Sequence, residues 1–243
     1  MAIYHLNHGM LSRSKGRSAV ENAAYITGET LFESRRNLKA NYKDRKNTIV
    51  FSKTLAPDHA PAEFHNTGVW DLLETFEDEY GYRHYKTDAT RVAYINSAQT
   101  AQTIVAALPK ELSIAVACEL IIQFALDRFV SRGLVMTVVV RDDESNPHAH
   151  LQVSRRAVNE NGTFEMAKDR DIATRKSLLE TRKLWADLTN QYLEREGFDE
   201  RVSEKSFVEL GLPRTPSRKI GWRFHKIKRE AQKAECITLK ESI

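Results

Sequence analysis

The chain is expected to fold as an α+β sandwich with an antiparallel sheet at its centre, and three observations carry that expectation. Residues 134–140 form a β-branched apolar run, and residues 148–156 alternate at period two beyond a turn-rich segment at 142–147, so the two read as an antiparallel hairpin. Residues 113–132 and 174–196 carry apolar side chains at spacings of three and four, the pattern of amphipathic helices. Strands and helices interleave without the regular alternation of crossover units, which favours α+β over a parallel sheet.

Taken in order, residues 2–7 read as a short strand in which Ile3, His5 and Asn7 alternate with Tyr4 and Leu6, with Gly9 as its breaker. A basic loop follows, Ser12-Arg-Ser-Lys-Gly-Arg17. Ser18 with Glu21 three residues on is a capping-box pattern, so a helix is expected over 19–26, stopped by Gly28, with Tyr25 near its end. Residues 32–62 carry many charges together with Pro57 and Pro61 and read as loops around one strand at 48–52. Trp70, Leu73 and Phe76 or Glu77 predict a helix over 67–80, whereas 81–101 fits neither period. Ser113 opens the clearest helix, with Ile114, Ala117, Leu120, Ile121, Phe124 and Phe129 on one face and Gly133 as its stop. Leu178, Trp185, Leu188 and Tyr192 mark the last long helix, which Gly197 ends.

With 243 residues, 41% of them hydrophobic, the chain suffices for one sizeable domain plus a tail. Thirty-seven Lys and Arg against thirty-three Asp and Glu give a net charge of +4, which permits a nucleic-acid partner without requiring one. Cys118 and Cys236 exclude a disulfide framework and a paired-cysteine zinc site. Residues 1–10 lack the pattern of a signal peptide, and no apolar run approaches the roughly 18 residues of a membrane span, so a soluble cytoplasmic protein without membrane insertion is expected.

Three features carry possible chemistry. In Asn146-Pro-His-Ala-His-Leu151, strand geometry turns His148 and His150 to one face, where two imidazoles suit a divalent metal or form a simple pair of half-exposed strand histidines. Tyr25 is a nucleophile or an amphipathic packing residue. Arg13, Lys15 and Arg17, next to the amides at the Ser18 helix start, bind phosphates or form a solvated loop. A second basic stretch, with Arg214, Arg218, Lys219, Arg223, Lys226, Lys228 and Arg229, is a further DNA surface or a solvated tail.

Six segments occur in the order seen in one family: Met1-Ala-Ile-Tyr-His-Leu6, Ser12-Arg-Ser-Lys-Gly-Arg-Ser-Ala19, Ala23-Ala-Tyr25 with Gly28, Ala107-Leu-Pro-Lys-Glu-Leu112, Val130-Ser-Arg-Gly133 and Asn146-Pro-His-Ala-His150. The chain resembles the MobA/MobL (MOBQ-type) conjugative relaxases of the HUH endonuclease superfamily, and Trp185-Ala-Asp187, Tyr192-Leu-Glu-Arg195 and Gly211 extend the likeness to about residue 221. The resemblance implies a two-layer α+β fold with the histidines on a central antiparallel strand, a relaxase domain over 1–221 and a basic helical tail over 222–243. It implies nicking of one strand at a plasmid transfer origin by Tyr25, with a 5′-phosphotyrosyl intermediate and later rejoining. It also implies a divalent ion, Mg or Mn, on His148 and His150. The implied partners are single-stranded and hairpin DNA of the transfer origin, accessory mobilisation proteins and a secretion-coupling protein.

The chain departs from the family pattern at three points. Where a third histidine usually ends the strand before the turn, it has Val140 or Arg141; Arg141 would neutralise a phosphate but cannot ligate a metal, and Asp142 is an alternative oxygen donor. Thr103, Ile104 and Val105 stand where acidic residues are usual, and Ser217-Arg-Lys-Ile220 replaces a histidine-containing ending. There is also extra length between Trp70 and Ala107. The alternative to an active nickase is therefore a catalytically impaired relaxase-like single-stranded DNA-binding protein.

Overall fold

The computed structural model describes residues 3–143, 146–206 and 208–211. Contacts divide the chain into two compact units, Met1–Glu204 and Lys205–Ile243. In the first, the strands are β1 (Leu6–Ser12), β2 (Thr30–Glu33), β3 (Leu38–Asn41), β4 (Ile49–Leu55), β5 (Gln99–Ala107), β6 (Leu134–Asp143), β7 (Asn146–Val158) and β8 (Phe164–Lys168). The helices are α1 (Ala19–Thr27), α2 (Val69–His84), α3 (Asp88–Ser97), α4 (Ile114–Arg128) and α5 (Arg175–Arg195). In the second unit, the described residues include a short turn in which Ser206 and Glu209 cap one another. The expected basic tail at 222–243, and the basic positions from Arg214 onward, lie outside the described residues.

The central sheet runs β1-β5-β7-β6-β4, with β8 added to β7, and every pairing in it is antiparallel. Helices flank it as expected, and they do so on both faces because the inner strands are apolar on both. On one face Met136, Val138, Val140, Ala149, Leu151 and Val153 pack with Leu120, Phe124, Trp185 and Leu188 of α4 and α5. On the other, Val135 and Ala101 join a core with Ala19, Val20 and Ala23 of α1 and Val69, Trp70 and Leu73 of α2. Strand alternation assigns neighbours to opposite cores, so Val135 and Met136 serve different helices. Thr137 has no apolar task; its hydroxyl accepts the Trp70 indole N–H at 2.9 Å, which satisfies a fully buried donor.

The structure corrects several expectations. Gly9 does not end β1 but lies within it opposite Thr103, where a Cβ would stand 2.6 Å from the Thr103 hydroxyl; close approach, not a turn, requires the glycine there. All but the first two residues of the β2–β3 hairpin fall in the charged stretch read as loop, and it turns at Asn37, whose φ of 50° lies in the left-handed region. The unassigned stretch holds the end of α2, all of α3 and the first three residues of β5, a strand whose Gln and Thr residues hide its period because neighbouring strands, not its own pattern, bury it. β8 gives too short a signal to read, five residues of which only Phe164 is buried. No described helix is long and apolar enough to cross a membrane.

Candidate active site

The helix that carries Tyr25 is fastened at both ends. At its start the Ser18 hydroxyl accepts from the amides of Val20 and Glu21 and donates to Glu33 at 2.6 Å, while the Ala19 amide donates to Glu74 at 2.7 Å. The capping box is thus half made, since Glu21 turns its carboxylate to Arg36 and Tyr42 instead. At its end the Arg141 guanidinium donates to the carbonyls of Tyr25 (3.1 Å) and Ile26 (2.9 Å), a cation at the negative pole of the helix. Between the ends, fully buried Gln152 of β7 donates to the Ala19 carbonyl at 2.9 Å and accepts from Asn22 at 2.6 Å.

That clamp explains what Tyr25 faces. Tyr25 follows Asn22 by three residues and shares its helix face, and His150 precedes Gln152 by two and shares its strand face. Holding Asn22 on Gln152 therefore lays Tyr25 along His150, and both line one cavity of about 340 Å³ together with Arg17, Ser18, Glu21, Tyr42, Thr103 and Val105. Thr103, Ile104 and Val105 supply its β5 wall without a carboxylate; the acid among the lining residues is Glu21, from α1. Arg45 lies 3.9 Å over the Tyr25 ring and Tyr42 meets that ring edge-on at 5.5 Å. Burial, then the Glu21 carboxylate, pushes the Tyr42 phenol above its usual range. Arg45 and Tyr42 escaped the sequence reading because they come from a charged segment, and Glu21 stood there only as a helix cap.

His148 and His150 share a strand face with ring centroids 5.0 Å apart, set edge to face. The carbonyl of Asn146 lies 2.9 Å from His148 Nδ1, a position that favours the ring proton on that nitrogen. His148 opens onto an adjoining cavity of about 370 Å³, shared with His5, which the sequence reading did not single out. Register explains the meeting: Ala107 pairs with His148 and its amide bonds the His5 carbonyl, so the three stand in one row across the sheet. His8, three residues on, faces the α4–α5 side. Among the described residues no group of three His, Cys, Asp or Glu is spaced to hold a metal ion. Val139 and Arg141 oppose His150 and His148 on β6, and neither offers a metal donor from there.

Two of the expected phosphate contacts need correction. Arg13 is interior: its guanidinium donates to Glu74 at 2.8 Å, to Asp78 and to two carbonyls, with 3% side-chain exposure. Arg141 is 3% exposed and spent on the end of α1. Lys15 and Arg17 remain solvent-facing, and Arg17 rims the Tyr25 cavity.

Burial, helped by Arg182 and Arg128, lowers the His8 pKa from 6.5 to about 4. The unfolded chain therefore takes up this proton first, so stability present above pH 6.5 is lost as pH falls toward 4, by as much as about 3 kcal/mol at roughly 1.4 per unit. Urea unfolding at pH 7 and 4.5 should show a smaller acid loss for His8→Gln than for the parent. An unchanged loss would assign the effect elsewhere.

The model of the MobA/MobL family matches residues 17–230. The chain is 30% identical over 162 residues to a probable mobilization protein MobA of Bifidobacterium longum, covering 65% of this chain and 26% of that one. It is 27% identical over 246 residues to mobilization protein MobL of Acidithiobacillus ferridurans, covering 91% and 62%. It thus spans about a quarter of the first relative and under two thirds of the second. A solved structure described as the molecular basis of vancomycin resistance transfer in Staphylococcus aureus superposes with a TM-score of 0.72 at 26% identity, covering 84% of this chain and all of that one. The conjugative relaxase TrwC, solved metal-bound with oriT DNA, shares the fold at a TM-score of 0.50 and 13% identity, covering 82% and 73%.

Proposed function

The chain belongs to the MobA/MobL family, and on that premise we propose that it is a mobilisation relaxase that cuts and rejoins one DNA strand at a transfer origin through Tyr25. The observation that carries this reading is the single cavity lined by Tyr25 and His150. In the proposed step the Tyr25 oxygen attacks the scissile phosphorus and loses its proton, the bond from phosphorus to the 3′-oxygen breaks, and that oxygen leaves as a 3′-hydroxyl. The 5′-phosphate stays on the tyrosine, so reversal rejoins the strand without external energy.

The chain's own groups account for much of this step. Arg45 and Tyr42 hold the Tyr25 ring, Arg17 at the rim attracts the phosphate, and the buried clamp on α1 keeps the phenol from swinging away. His148 and His150 would hold a divalent ion, Mg or Mn, on two sides, and its positive charge would offset the charge that develops on the phosphate. Single-stranded and hairpin DNA, accessory mobilisation proteins and a secretion-coupling protein are the partners that go with this reading.

A second reading, a relaxase-like DNA-binding protein with weak or no turnover, is favoured by one observation: β6 presents Val139 and Arg141, not a third donor, opposite the histidines. One experiment separates the two. Single-stranded oligonucleotides tiled across the DNA flanking the gene are incubated with the full chain and Mn²⁺ or Mg²⁺, and detergent-resistant adducts are sought, with calorimetric titration of Mn²⁺ alongside. The nickase reading expects a metal-dependent adduct on a 5′ end, and Mn²⁺ binding lost in His150→Ala. Salt-sensitive DNA binding with neither adduct nor Mn²⁺ binding supports the second reading.

A further inference from the structure

The extra length between Trp70 and Ala107 builds a further pocket, at the other end of β7 from the histidines. The end of α2, α3 and β8 enclose a cavity of about 690 Å³ lined by Tyr80, Tyr85, Tyr94, Arg155, Lys168 and Arg170. Arg155 follows His150 by five residues, about 17 Å along a strand, so this cavity is separate from that of Tyr25.

Its charges do not balance. The fully buried Glu77 carboxylate is shared by Arg156 Nε at 2.8 Å, Lys168 at 3.0 Å and the Tyr94 hydroxyl, so one anion already serves two cations. Arg155 is 5% exposed and meets only uncharged acceptors, namely Gln99 Oε1 at 2.9 Å, Met10 Sδ at 3.4 Å and the Asp169 carbonyl at 3.5 Å. Its Nε is buried with no hydrogen-bond partner among the described residues. The Asp169 carboxylate is engaged instead by Arg132 at 2.7 Å. Arg170 is exposed, and its side chain makes no hydrogen bond or ion pair among the described residues. Asp169 and Glu77 act on Arg155 only from a distance, and a buried guanidinium with no carboxylate in contact is costly, so an anion bound at Arg155 and Arg170 offsets part of that cost.

The other wall is aromatic. Tyr85 stacks on Tyr94 with centroids 4.9 Å apart and 27° between planes, and Tyr80 stacks on His84 at 3.9 Å. Half-buried Tyr85 presents a π face of the kind on which a nucleobase stacks. The volume lies within the range of small-molecule sites. We propose that this cavity binds a nucleoside phosphate, with the phosphate on Arg155 and Arg170 and the base against Tyr85, whether as a free nucleotide or as one unit of a single strand.

The test is calorimetric titration of the full chain with inorganic phosphate, dTMP and the oligonucleotides (dT)4 and (dT)12, repeated in Arg170→Glu, Tyr85→Ala and, as a charge-reversal control on exposed Lys183, which lines neither cavity, Lys183→Glu. The expected result is that dTMP or (dT)12 binds at least about tenfold more weakly to Arg170→Glu and Tyr85→Ala than to the parent and no differently to Lys183→Glu, and that inorganic phosphate binds more weakly than dTMP or (dT)12. Loss confined to the oligonucleotides identifies strand DNA as the source; loss shared by dTMP identifies the free nucleotide. Unchanged affinities in both variants, with melting curves like the parent's, overturn the proposal, as does phosphate that binds as tightly as every nucleotide probe. Should Tyr85→Ala fail to fold, exposed Arg170 decides alone. A protein inactive at Tyr25 can still pass this test, so the two readings fail separately.

Discussion

Tyr25→Phe is expected to lower strand cleavage about 10⁴-fold or more while DNA affinity stays within about twofold of the parent. The substitution removes one oxygen and keeps the ring, so the edge contact with Tyr42 and the stacking under Arg45 survive. The clamp on α1 also survives, because Gln152, Asn22 and Arg141 bond main-chain and amide groups that the change does not touch. Stability should therefore shift by less than about 0.5 kcal/mol, and any loss of turnover belongs to the missing nucleophile and not to misfolding. Cleavage and adduct formation on denaturing gels, with binding by fluorescence anisotropy, measure both quantities. Cleavage by the Phe variant within about tenfold of the parent would remove Tyr25 from the chemistry, and an adduct would then have to be mapped to another side chain.

Glu74→Ala should destabilise the fold by about 3–5 kcal/mol, the cost of leaving a buried charge without its partner. Glu74 is fully buried and performs three tasks: its carboxylate accepts from Arg13 and from the Ala19 amide at the first position of α1, and its carbonyl accepts from Arg13 again. Burial alone would lower the Arg13 pKa, yet Glu74 and Asp78 raise it, so the guanidinium depends on these carboxylates for its charge. Removing one leaves an orphaned cation and an unsatisfied helix-start amide beside the element that carries Tyr25. Urea unfolding measures the loss, and a double change of Arg13→Met with Glu74→Leu should recover much of it, since a well-packed apolar pair replaces the ion pair. A loss below about 1 kcal/mol would show that the pair is dispensable. Cleavage is expected to fall in Glu74→Ala even where the protein remains folded, because the start of α1 loses its anchor to α2.

These two outcomes bear on what a reader of the residues can see. Ser18 and Gly28 announce α1, Ser113 and Gly133 bracket α4 with its following turn, and the hairpin of β6 and β7 stands out because its apolar run and turn residues are contiguous. The histidine pair shows its shared face for the same reason, since alternation along a strand is a property of the backbone alone. Arg13 misleads because a basic residue in a Ser/Lys/Gly/Arg stretch looks solvated, and its partners Glu74 and Asp78 lie more than sixty residues away. Arg141 misleads likewise, standing where a ligand is expected while capping a helix more than a hundred residues distant. β5 hides in the sequence because polar Thr100 and Gln102 are buried between its neighbours, and they obey the sheet's needs and not a period of their own.

The sequence by itself determined the family, the caps and stops of its helices, and the strand face that His148 and His150 share, because these depend on local geometry within a few residues. Only the tertiary structure decided that Tyr25 and His150 line one cavity, that Glu21 is the acid in it, and that two arginines are interior braces. The pocket of Tyr85, Arg155 and Arg170 also emerges only there. Each of these joins residues far apart in the chain, and the choice between a solvated charge and a buried one is made by the groups that surround it, not by its neighbours in sequence.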